Sequence, residues 1–158
     1  MGTVIRGLIA GLTGTAALNA ATYLDIAVRA RPPSRTPEES VQRLADTVGV
    51  GLGRDSREAG NRKVGLGALL GYAMGVGTAV TFATLTRHRP VRWPKATLAL
   101  AALAMAGANG PMAMLGITDP RRWSAADWAA DVLPHLAYGA AAASVLAAPR
   151  RRAFQRRR

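Results

Sequence analysis

The chain contains no cysteine, so disulfides and thiolate metal sites are excluded. Lysine is almost missing: of 21 basic residues only Lys63 and Lys95 are lysines, and the rest are arginines. Acidic residues are scarce, nine in all, which leaves a net charge of +12. There is no nucleophile elbow, no phosphate-binding glycine loop and no metalloprotease helix, so the sequence gives no ground to expect an enzyme. No cofactor motif is present, and no metal site is expected. What is abundant is Ala, Gly, Pro and Arg, a composition typical of GC-rich bacterial coding.

The apolar residues are gathered into four stretches, roughly 7–28, 64–86, 96–118 and 125–148. Each is about twenty residues or longer, enough as a helix to cross a hydrocarbon core of ~30 Å. The basic residues lie outside their centres. The expected fold is therefore all-α: a single-domain integral membrane four-helix bundle over 1–158, with a basic C-terminal tail at 149–158. The first stretch is too long for a typical signal h-region of about 7–15 residues, so it is expected to remain as the first helix.

The charge could suggest nucleic acid, but its placement argues against that partner. Arginines flanking apolar spans set topology and meet anionic headgroups. The tail, with Arg150, Arg151, Arg152, Arg156, Arg157 and Arg158, fits this use. Basic residues divide almost evenly between the two sides. The acids of the long first loop tip the balance toward both termini in the cytoplasm of a bacterial plasma membrane. Trp93, Trp123 and Trp128 sit near span ends, where indoles favour the interface.

The loop between the first two spans holds a short amphipathic helix. Thr36-Pro37-Glu38-Glu39 reads as its start, with Thr36 as N-cap and a Glu at the capping-box position. Val41, Leu44, Ala45 and Val48 follow at helical spacing, and Gly49, Gly51 and Gly53 end it. It is expected to lie on the membrane surface. A weak repeat relates Ala10-Gly11 to Ala106-Gly107, and Leu70-Gly71-Tyr72 to Leu136-Ala137-Tyr138. It suggests a duplicated helical hairpin with both copies in the same orientation.

Three constellations are candidates for function. Gly67, Gly71 and Gly75 form a ladder at four-residue spacing, and Gly7 and Gly11, extended by Thr15, form another. Small residues so spaced let helices approach closely, either within the bundle or between copies in a homo-oligomer. Asp127, Asp131 and His135 form a column on one helix face, with Tyr138 a turn further on. Ionisable groups inside a membrane face the bundle or water. This column reads as hydrogen-bonded structure, as a proton relay using His135, or as a divalent metal site, with structure the leading reading. Asn19 and Asn109, the latter beside Pro111, complete a polar centre that could hold helices together, bind a small ligand or pass protons.

The run Gly14 to Asn19 through Thr22-Tyr23-Leu24-Asp25, then Arg31-Pro32-Pro33 and Thr36-Pro37-Glu38, resembles small four-span membrane proteins of actinobacteria, a group with no assigned activity. Asn61-Arg62 with Gly65-Leu66-Gly67, and Asp131 through Gly139, are similar too. The resemblance implies the four-span fold and carries no catalytic residue. The expected role is that of a structural or accessory membrane component, with a homo-oligomer or a membrane protein as partner. The alternative is a small transporter, channel or proton-coupled carrier.

Overall fold

The computed structural model describes residues 2–88 and 91–148, and the tail at 149–158 lies outside them. Among the described residues five α-helices follow in order: α1 (Thr3–Arg29), α2 (Thr36–Val48), α3 (Ser56–Leu85), α4 (Trp93–Met114) and α5 (Ala125–Ala147). A 3₁₀ turn, Pro120–Arg122, precedes α5. There is no strand among the described residues. The four long helices are each long and apolar enough to cross a membrane.

They form an antiparallel bundle arranged as a ring. α1 packs on α3 and α5, α5 also packs on α4, and the seam between α3 and α4 is the sparsest. α1 and α4 face each other across the diagonal. Direction follows from named contacts. Arg6 at the start of α1 meets the end of α5, and Trp93 at the start of α4 meets Ser144 near the end of α5. One end of the bundle therefore carries the starts of α1 and α4 and the ends of α3 and α5. The opposite end carries α2, the 3₁₀ turn and the start of α5.

The helix limits differ from the expected spans in instructive ways. α3 begins at Ser56, eight residues before the apolar run. Asp55 caps it by accepting from the backbone N–H of Glu58 at 2.8 Å. At about 1.5 Å per residue its 30 residues run to roughly 45 Å, so its charged first turns stand clear of a hydrocarbon core. α4 starts earlier, at Trp93, and runs through Pro111 to Met114. In α2, Thr36 is inside the helix and no capping box forms. Ser34 Oγ instead accepts from the Thr36 N–H at 3.2 Å. The end of α2 is as read: Gly49 takes a left-handed φ of 67°, open to glycine without a Cβ penalty.

α2 lies on α3 through Val41 and Ala45, both buried. Leu44 and Val48, expected on the same face, point outward. The buried core is made of small residues, with Tyr138 and Leu100 its largest fully enclosed side chains. The outward faces of the long helices are lined with leucine, isoleucine and valine, among them Leu8, Leu12, Leu69 and Leu98. This inversion of the usual soluble pattern is what a hydrocarbon solvent asks of a bundle.

The two hairpins do not place their matched residues alike. Tyr138 is fully buried, whereas Tyr72, its repeat counterpart, is 37% exposed. A Cβ on Gly11 would meet Val76 Cα at 2.5 Å, whereas one on Gly107 would touch only the Met74 methyl at 3.4 Å.

Candidate functional site

The glycine stripes divide by position. Gly7 and Gly11 lie against the backbone of α3 at Val80 and Val76, so α1 and α3 touch almost main chain to main chain. Gly75 lies against Thr15 and the Tyr138 ring. Gly67 faces Pro37 of α2 rather than a long helix. Gly71 corrects the expected ladder: a Cβ there would find nothing within 4 Å. A four-residue spacing drifts slowly around a 3.6-residue helix, and between Gly67 and Gly75 the stripe serves two different neighbours. Two glycines outside the stripes are just as closely packed. Gly14 receives the Tyr138 ring, and Gly139 lies directly on the Thr97 carbonyl and on Ala101 of α4.

Tyr138 thus enters a slot made by Gly14 and Gly75. Its hydroxyl donates to the Gly75 carbonyl at 2.5 Å. That carbonyl already belongs to a helix, so the bond ties α5 to α3 across α1.

The acidic column separates into two units. Asp127 turns back to Ser124 and completes a capping box: its carboxylate accepts from the Ser124 N–H at 2.9 Å, and Ser124 Oγ accepts from the Asp127 N–H at 3.2 Å. It is exposed and is not joined to Asp131. Asp131 Oδ2 accepts from Asn109 Nδ2 at 2.8 Å, bridging α5 to α4. His135, 8% exposed, places Nδ1 2.7 Å from the Asp131 carbonyl and 3.5 Å from its carboxylate. With a carbonyl that close, Nδ1 carries the proton and donates. Asn19 does not join this group: it is half-buried and makes no side-chain hydrogen bond among the described residues. The centre is therefore Asn109–Asp131–His135, set toward the end that carries α2. Among the described residues no three His, Cys, Asp or Glu side chains are grouped to hold a metal ion.

Charge is segregated along the bundle. No Asp or Glu occurs in residues 1–24, 59–118 or 132–158. All nine acids fall at the end that carries α2, and three of them form ion pairs with arginines there. Asp25 pairs with Arg29 and Arg31, Glu58 with Arg54 and Arg62, and Asp119 with Arg121 and Arg122. The hydrogen bond from Arg121 holds the Asp119 carboxyl below its ordinary value. At the terminus-bearing end the described cations Arg6, Arg87, Arg92 and Lys95 have no carboxylate among them. Arg6 commits one nitrogen to backbone: its Nη2 donates to the carbonyls of Leu146 at 2.5 Å and Ala148 at 2.7 Å, capping α5, while its Nε and Nη1 make no hydrogen bond among the described residues. Arg87 Nε donates to His88 Nε2 at 2.8 Å.

At this end a cleft of about 460 Å³ opens between all four long helices. Phe82, Ala83, Ala96, Ala143 and Leu146 line its apolar part, and Arg6, Arg87 and His88 line its polar part. A second cleft of about 300 Å³ lies at the opposite end between α2 and the Gly116–Ile117 turn. Neither reaches Asp131 or His135. Sequence reading did not single out this basic cleft. Its signal was available in the acid-free stretch 59–118 with its cluster of cations near 87–95. No family model, curated protein or solved structure matches this chain.

Proposed function

We propose that this chain is a multi-pass protein of the bacterial plasma membrane, with both termini cytoplasmic, that serves as a structural or accessory membrane component rather than an enzyme. Its membrane partner is a second copy or another membrane protein. The observation that carries the reading is how its interior polar groups are used. Asn109, Asp131, His135 and Tyr138 bond to each other or to backbone carbonyls, and each of these bonds spans helices or stiffens one. Groups so engaged hold a bundle together. Purification from membranes followed by mass spectrometry of whatever accompanies the chain tests this directly. A reproducible membrane-protein partner or a defined oligomer supports it. A lone monomer that turns over a substrate refutes it.

The runner-up is a proton-coupled carrier, favoured by the placement of a half-buried Asp131 beside a buried His135. Proteoliposomes holding a pH-sensitive dye distinguish the two. Proton leak abolished by Asp131→Asn would select the carrier, and leak equal to empty vesicles selects the accessory role.

A further inference from the structure

We infer that the cleft at the terminus-bearing end binds an anionic phospholipid, its phosphate at Arg87 and Arg6 and its first acyl methylenes over Phe82 and Leu146. The inference rests on the membrane reading and makes it specific: one site, one lipid class. Three observations converge on it.

The first is unmet charge. The ion pairs among the described residues all lie at the opposite end. The cations here have no carboxylate to meet, because no Asp or Glu exists in the chain segments that build this half. Arg87 donates through Nε to an imidazole nitrogen of His88, and its terminal nitrogens make no hydrogen bond among the described residues. A phosphate oxygen is a far better acceptor for a guanidinium fork than an imidazole.

The second is the floor of the cleft. It is apolar, lined by Phe82, Ala143 and Leu146, and a volume of about 460 Å³ takes more than a bare phosphate. A free anion would leave that floor unused, whereas a lipid brings phosphate and methylenes together. An acidic protein segment would meet the arginines but has no reason to enter a pit between four helix ends.

The third is depth and exit. Trp93 lines the same cleft and marks the interface level at this end. The α3–α4 seam is the sparsest of the ring, so acyl chains have a lateral way out to the bilayer.

The test uses the full chain purified in a neutral detergent. Native mass spectrometry and thermal melting are followed while dioleoylphosphatidylglycerol, dioleoylphosphatidylcholine or inorganic phosphate is added. One phosphatidylglycerol per chain should bind saturably and raise the melting temperature, with phosphatidylcholine at least about fivefold weaker. Arg87→Gln should weaken the anionic lipid about fivefold, as expected for one basic residue at an anionic surface. Ala147→Trp places an indole at the lining while keeping every charge, and it should weaken the same lipid. Equal binding of both lipids, an equal shift with inorganic phosphate, or wild-type binding by both variants would overturn the site. Detergent phase partitioning of the same samples separates this from the wider reading. A chain that enters the detergent-rich phase without lipid preference loses the site alone, whereas a chain that stays in the aqueous phase loses the membrane assignment as well.

Discussion

At the scale of single residues, what decides packing is the absence of Cβ atoms at particular places. Gly139 rests on the Thr97 carbonyl, and Gly11 rests on the Val76 main chain. Neither neighbour is the end of a flexible side chain, so Gly139→Ala and Gly11→Leu should each destabilise by about 1–3 kcal/mol, the usual cost of overpacking. Gly71→Leu should leave the monomer's melting temperature in detergent nearly unchanged, because its Cα faces open space. Thermal melts of the three variants side by side check this. If Gly71→Leu instead changes the oligomer size, that outward face is where copies meet. Asn109 is the matching polar case. Asn109→Leu removes the donor to the half-buried Asp131 carboxylate and should cost about 1 kcal/mol, short of the penalty for a fully buried acceptor left unpaired. His135→Asn should cost less, since its partner is a carbonyl of its own helix.

At the scale of elements, helix ends are held by a few named groups. Ser124→Ala breaks the capping box of α5 and should lower stability by about 1 kcal/mol in a chemical or thermal melt. The Asp119 carboxyl, held low by Arg121, titrates in the turn before that helix. Its folded pKa lies below the unfolded one, so its contribution is present above about pH 4 and is lost as pH falls through the folded value. An NMR titration of the Asp119 carboxyl should give a midpoint below the ordinary Asp value of about 3.9, and Arg121→Ala should return it there. The elements themselves were legible from composition. Four apolar runs became four long helices, because a run of that length fixes helix existence even where its limits stay soft. The early start of α3 was hidden, since Ser56 to Lys63 is polar and only the Asp55 cap marks it. The site was legible in part. Asp131 and His135 shared a face by spacing alone, but which asparagine would meet them depended on ring order, and sequence does not state that α4 rather than α1 stands beside that face.

At the scale of the whole molecule, the two ends differ in electrical character more than a count of basic residues reveals. One end mixes acids and arginines into near neutrality, while the other is uniformly cationic. On the orientation proposed above, single cysteines at Lys95 and Asp119 should label from opposite sides in intact spheroplasts, with Asp119→Cys reacting from outside and Lys95→Cys only after lysis. The reverse pattern would invert the assigned orientation. The ring order has a further consequence, for synthesis. The helix made first, α1, owes half of its neighbours to the helix made last, and Arg6 bonds carbonyls 140 and 142 residues downstream. While the ribosome is still translating, the slot at Gly14 stands empty and the glycine face of α1 has only α3 to cover it. The ring thus closes only with its last helix, and a chain stopped before Ala125 has three long helices and one open side where α5 would bridge α1 and α4.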